Sequence, residues 1–289
     1  MPNMSERIVR NYYGRDLKAI IKYFEQTTVQ HQKALSLQKK FGGNKKSSRA
    51  PQKSPFSSYR GLGEVLKKHK IDGNALTAIP QFRSATFDIS EDDQSMKLCV
   101  DVILLKLRTM GPVEGGNEAV RSEFVSVILS TAVSLLDGLR IFPQFEVTGV
   151  ESNGRVDYAI MKAKKIVCVV EAKQNLPGIG MAQNIMQCKS ACDANLVRKK
   201  RGKSTYEYVY GIITTATEWY FLLYGTEGIY ATTGTEFRIS LTEDTLSDPD
   251  TLREEVKSIL EVVAGLLNDR ATVSDDPTIK KQHVLDFAC

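Results

Sequence analysis

Asp157, Glu171 and Lys173 are the residues whose types and spacing could do chemistry together. Two apolar, β-type runs flank a short basic loop, Lys162 to Lys165; the first opens on Asp157, and the second closes on Glu171 and Lys173. With a three-residue loop, antiparallel pairing sets Met161 against Val167, Ala159 against Val169 and Asp157 against Glu171. Side chains paired in this way stand roughly 5 Å apart at Cβ. The pleat returns Lys173 to the face of Glu171. One residue more or less in the loop would reverse that parity. Ile166 to Val170 is apolar at every position, the pattern of a central strand covered on both faces. Charges at the lip of such a strand cost free energy unless they are paired or hold a metal. Two arrangements satisfy this: a structural salt bridge of Lys173 with one carboxylate, or a cation site that uses both.

The flanking segments must position these residues. Asn117 is a suitable N-cap for a helix over Glu118 to Leu136, with Val120, Phe124, Val127, Ile128, Thr131 and Leu135 as its apolar stripe. Ile141 to Val150 has the composition of a strand, and the hairpin follows it. Pro177 and Gly178 break the chain before a helix from Ile179 to about Val197. Tyr206 to Thr215 and Glu218 to Tyr224 are aromatic, β-branched strands, and Gly228 to Ser240 supplies another short pair. Leu252 to Leu267 is an amphipathic helix with a polar tail beyond it. This order predicts an α/β fold, a mixed sheet flanked by helices.

The first hundred residues differ in character. Residues 5 to 40 have helical spacing, suited to packing or to a protein partner, and 42 to 60 has the Gly, Ser, Lys and Pro content of a flexible linker. Leu62 to His69 predicts a short helix. Met96 to Thr109 predicts another, with Leu98, Val102, Leu105 and Leu107 inward; the stretch 72 to 91 has no clear period. The expected organisation is a helical, basic region over 1–110, an α/β domain over 111–270 that carries Asp157, Glu171 and Lys173, and a polar tail over 271–289.

Composition narrows the class of function. The chain has 289 residues, 42% of them hydrophobic and 25% charged, enough for an ordinary globular core. No run is long enough to span a bilayer, and the amino terminus lacks a signal-peptide core. Five cysteines without a C-x-x-C pair, and three histidines, argue against structural zinc and disulfides. An intracellular, reducing compartment is the expectation. The net charge of +5 is uneven: residues 31 to 70 hold eleven Lys or Arg against Glu64 alone. A basic segment on a mildly acidic body suggests a polyanion partner or a targeting signal. Arg198, Lys199, Lys200, Arg201 and Lys203 form a second basic run, suited to phosphate contacts or a nuclear localisation signal, with a solvated loop as the alternative.

A helix bearing Glu, a strand with Gly154-x-Val156-Asp157-Tyr158, a strand ending Val169-Val170-Glu171-Ala172-Lys173 and a Gln-bearing helix together resemble the PD-(D/E)xK nuclease superfamily, over roughly Glu114 to Tyr230. Val156 stands where that family usually has proline. Within the superfamily, Ile141-Phe-Pro-Gln-Phe-Glu-Val147, Gly178-x-x-x-Ala182-Gln183-Asn184 and Tyr210-Gly-Ile-Ile-Thr-Thr-x-x-x-Trp219 are similar to nuclease-like domains of Crinkler-type proteins. The resemblance implies a restriction-endonuclease-like core and metal-dependent hydrolysis of phosphodiesters, DNA in preference to RNA, in an effector-type protein of the nucleus. It implies Mg2+, with Mn2+ able to substitute, on Asp157, Glu171 and the carbonyl of Ala172, a donor set suited to a hard cation. Lys173 would orient the attacking water and face the developing charge on phosphorus.

Glu118 and Glu123 compete for the family's helix acid. They lie about 140° apart on a helix, so both cannot enter one site; Glu118, in an E-x-x-x-R-like run, is preferred. Arg121 would contact phosphate or pair with Glu118. Gln183 and Gln187 share a helix face; the resemblance implies that such glutamines contact DNA or hold the catalytic lysine and the metal's water, Gln183 being taken as catalytic and Gln187 as a nucleic-acid contact, and a plain polar face is the alternative. Trp219, Cys188 and Cys192 are expected in the core. The rival function is a catalytically silent module of the same fold that binds nucleic acid or protein.

Overall fold

Successive hydrophobic side chains along the strands point to alternate faces of one sheet, and helices cover both faces. The computed structural model describes residues 53–173, 178–197, 206–232 and 237–287. The expected helix over 5–40 and the basic run 198–203 lie outside the described residues. Among the described residues the sheet has seven strands: β1 (Ser54–Pro55), β2 (Leu139–Thr148), β3 (Ser152–Lys162), β4 (Lys165–Ala172), β5 (Tyr208–Thr214), β6 (Trp219–Gly225) and β7 (Ile229–Ala231). The pairs β2–β3, β3–β4, β5–β6 and β6–β7 are antiparallel, whereas β4–β5 and β1–β3 are parallel. A parallel joint needs a crossover, and the helix from Gly178 to Val197 provides it.

The helices are α1 (Leu62–Lys68), α2 (Gln94–Met110), α3 (Glu118–Ser134), α4 (Gly178–Val197), α5 (Pro249–Thr272) and α6 (Pro277–Phe287). One core joins α2, α3 and α5 to Tyr158, Ile160, Val170, Tyr210 and Phe221 of the sheet. A second joins α1 and α4 to the alternate residues Ala159, Val169, Val209 and Leu222. The described residues therefore form a mixed α/β three-layer arrangement, in keeping with the order of predicted elements. Ile166 to Val170 is buried throughout, as a strand covered on both sides must be.

Several expectations need correction. The linker proposed for 42–60 does not extend through its described end: Ser54–Pro55 pairs with β3, and Phe56, 4% exposed, packs beside Val156 in the second core. Residues 53–110 pack with the rest of Lys53–Cys289 as one unit. On α2 the inward residues are Met96, Cys99, Val100, Ile103 and Leu107, while Leu98 and Leu105 are 46% and 56% exposed. The helix is covered along a stripe rotated from the expected one, because its Met96–Ile103–Leu107 row meets α3 and α5. On α3, Asn117 caps as expected, its Oδ1 accepting from the amide of Val120 at 3.1 Å. Its buried face is Phe124, Val125, Ile128, Leu129, Ala132 and Val133. The polar tail is not a tail: α6 follows α5, and its Lys280 and Val284 are buried. Trp219, Cys188 and Cys192 lie in the core as expected. No helix among the described residues is long and apolar enough to cross a membrane.

Candidate active site

The β3–β4 turn holds two residues, Ala163 and Lys164, so Lys162 pairs with Lys165 and Met161 with Ile166. That register alone would set Asp157 and Glu171 on opposite parities. A β-bulge intervenes: beyond it Ile160 pairs with Cys168, Ala159 with Val169 and Tyr158 with Val170. One additional residue on β4, Val167, thus restores the pairing that a three-residue loop would have given. Continuing it by one step sets Asp157 opposite Glu171. There the ladder ends, and Asp157 Oδ2 instead accepts the amide of Ala172 at 2.8 Å.

Glu171 is only 4% exposed. Its Oε1 lies 2.9 Å from Lys173 Nζ, and its Oε2 accepts from Gln187 Nε2 at 2.6 Å. Lys173 Nζ also lies 3.5 Å from Glu118 Oε1, and the Lys173 amide donates to Thr214 O on β5 at 2.9 Å. Between the two helix acids the geometry is clear: Glu123 faces away and pairs with Lys106 at 2.6 Å. Asp157, Glu171, Lys173, Glu118 and Gln187 are thus gathered at the carboxyl ends of β4 and β5.

Other predicted positions fall elsewhere. Arg121 is 9% exposed and donates to Thr215 O at 2.8 Å, fixing the loop between β5 and β6 rather than reaching outward or pairing with Glu118. Gln187 is buried on Glu171, so it is not a surface contact for nucleic acid. The face of α4 that carries Gln183 and Gln187 is buried, so these residues do not form the plain polar face given as the alternative. Gln183 is buried on the same helix.

The electrostatics follow from crowding. Burial pushes the carboxyl of Asp157 above its ordinary range, and the amide of Ala172 and the charge of Lys173 offset only part of this. Burial, then the negative charge of Asp157, pushes Glu171 up as well, against Lys173 and Gln187. For Lys173 burial acts downward, but the charge and hydrogen bond of Glu171 prevail and hold the ammonium above its usual value. Two carboxylates that oppose each other's ionisation are an environment that a cation relieves. Among the described residues no group of three or more His, Cys, Asp or Glu side chains is arranged to hold a metal ion. Magnesium does not need one, since it retains waters and binds through one or two carboxylates and substrate phosphate.

Close packing of α4 on β5 sets the position of Gln187. Asn184, one turn earlier, donates from Nδ2 towards Val169 O, Ile212 O and Gln187 Oε1 at 3.3–3.4 Å. A Cβ on Gly211 would lie 2.1 Å from Asn184 Oδ1 and 2.8 Å from Cys188 Sγ. Gly211→Ala is therefore expected to cost about 1–3 kcal/mol by overpacking and to loosen Gln187 from Glu171, read as a lower urea midpoint.

Two residues of the site, Asn184 and Gln144, stand in the Crinkler-like runs of the sequence without a role expected of them. Asn184 lies three residues before Gln187 and so shares its face, a signal that was available. Gln144 Nε2 donates to Asp157 Oδ1 at 3.2 Å. Gln144 sits in β2 with φ of +49°, between the pairs Pro143–Tyr158 and Phe145–Val156. A left-handed conformation costs a residue with a Cβ about 1–2 kcal/mol, and nothing in the composition of β2 announces it.

No family model matches the chain. The chain is 27% identical over 133 residues to Crinkler effector protein 5 of Phytophthora infestans, covering 45% of this chain and 36% of that protein. It is 24% identical over 175 residues to Crinkler effector protein 1 of Rhizophagus irregularis, covering 58% of this chain and 36% of that protein. The chain thus matches about a third of the length of these curated relatives.

Proposed function

We propose that this distant relative of Crinkler effectors is an effector-type, metal-dependent nuclease on a restriction-endonuclease-like core, hydrolysing phosphodiester bonds, with DNA the preferred substrate and a nucleus the place of action. What supports this above all is the juxtaposition of Asp157, Glu171 and Lys173, an ammonium 2.9 Å from a carboxylate that is itself crowded by a second one. Asp157, Glu171 and the Ala172 carbonyl are the donors that would hold Mg2+, with Mn2+ able to replace it. The ion would supply Lewis-acid polarisation of the phosphate and a more acidic water.

The protein's own groups do the rest. The Ala172 amide fixes Asp157 in place. Gln187 holds one oxygen of Glu171 from inside the protein, so the other faces Lys173. Lys173, tied to Glu171 and Glu118, presents its charge where negative charge would build on phosphorus, the moment at which a fixed cation contributes most. Glu118 orients that ammonium from α3. The basic residues of 31–70 and 198–203 suit phosphate contacts, which would make binding salt-dependent.

The test is plasmid cleavage with Mg2+ by the wild-type chain beside Lys173→Ala. A loss of roughly 10²–10³-fold is expected in the variant, the usual cost of removing one preorganised charge-stabilising donor. Equal behaviour of the two proteins refutes the assignment.

A further inference from the structure

We propose that Gln144 is a positioning residue for the Asp157 carboxylate, held by the backbone of β2 so that its amide keeps Asp157 aimed for cation binding; this rests on the nuclease assignment. β2 lies next to β3, and its ladder continues with one register from Leu139–Lys162 to Thr148–Asn153. Gln144 is the residue at the level of Asp157 in that ladder, and the one described residue of β2 with positive φ.

The positive φ has a packing cause. Phe142 and Phe145 are three residues apart, so a regular pleat would send them to opposite faces. Instead both pack against the second core, their ring centroids 5.8 Å apart. The left-handed residue between them makes this possible.

Packing explains the conformation but not the residue type. Glycine or asparagine adopts such a φ most readily, and Gln144 is exposed, so no core contact requires its length. What the length provides is reach: Nε2 arrives at Asp157 Oδ1 while the Ala172 amide takes Oδ2. Each carboxylate oxygen thus carries one N–H donor. The carboxylate plane is fixed from two sides, and each oxygen keeps a lone pair for a cation. Outer partners of this kind orient a ligand without touching the ion.

Gln144→Asn tests this, because it accepts the backbone angle but is one methylene too short; Gln144→Gly is the second variant should the first fold poorly. In chelator, both are expected to melt at or above the wild-type temperature. Mn2+ or Mg2+ titration should show affinity weakened roughly 10-fold, with plasmid cleavage reduced at limiting metal and restored at saturating metal. Asp157→Asn should not be restored. Unchanged metal affinity in both Gln144 variants, with wild type still binding metal more tightly than Asp157→Asn, overturns the role of Gln144 alone. A wild-type chain that binds metal no better than Asp157→Asn overturns the nuclease assignment and this role with it.

Discussion

Glu207→Ala is expected to destabilise the protein by about 3–5 kcal/mol, the cost of breaking a buried ion pair from one side. A urea titration reads it as a lower midpoint with an unchanged slope. Glu207 stands just before β5 and is fully buried, as is Lys280 of α6, whose Nζ lies 2.7 Å from Glu207 Oε1. Arg270 of α5, 3% exposed, pairs with the same oxygen and donates from Nε to Tyr208 O at 2.8 Å. Removing the carboxylate leaves two cations inside the protein. Removing one cation does not have the same effect: in Lys280→Met, Arg270 still pairs with Glu207 and the thioether fills the space, so a much smaller loss is expected. A double mutant of Glu207 and Lys280 should recover part of the deficit, since the two are in contact and their effects cannot add.

The second large effect concerns the metal. Magnesium at about a hundred times its Kd is expected to add about 2.7 kcal/mol of stability to the wild-type chain and none to Asp157→Asn, whose cleavage should fall by roughly 10²-fold or more, beyond the loss typical of an outer partner. Differential scanning calorimetry with and without Mg2+ measures the first part. The pH dependence has a definite sign. Asp157 and Glu171 titrate higher in the folded protein than their ordinary values, through burial and, for Glu171, the charge of Asp157. Their contribution to metal-free stability is therefore complete below the unfolded carboxylate range, about pH 4, and is lost as pH rises through the elevated folded values. Lys173 is also raised, by Glu171 against the downward pull of its burial, so its contribution persists until alkaline pH. The metal-free chain should lose stability from mildly acidic towards neutral pH. The Mg2+-induced gain should grow over the same interval as the carboxylates ionise. A gain that shrinks with rising pH would contradict the assignment of these two ligands.

The hairpin shows how far sequence carries and where it stops. The apolar runs that open on Asp157 and close on Glu171 and Lys173 are legible because strand periodicity and charge placement are local properties. The β3–β4 loop is one residue shorter than the in-register pairing assumes, and the pairing near the acids is nevertheless the expected one, because the bulge at Val167 compensates. A bulge depends on how β4 twists between two packed layers, which no local pattern records. Helix phase says that Glu118 and Glu123 cannot both enter the site, the E-x-x-x-R-like run favours Glu118, and Glu123 indeed turns away to Lys106 while Glu118 reaches Lys173. The resemblance points Gln187 towards nucleic acid, and Arg121 is expected on phosphate or on Glu118, yet both are turned inward by contacts distant in sequence, Glu171 and Thr215. The α6 segment read as polar because its one fully buried charge, Lys280, has its counterpart in another part of the chain. The left-handed angle at Gln144 comes from two phenylalanines sharing a face, a tertiary demand on an ordinary-looking strand.

The placement of Lys280 also bears on synthesis. A ribosome releases β5 and its glutamate well before α6, so the nascent chain holds an acid whose ammonium counterpart has not yet been made. Until that counterpart emerges, Arg270 is the one of the two cations available to Glu207. Arg270 is made before Lys280 and pairs with the same oxygen, so this last helix adds a second cation to a charge pair that stands without it.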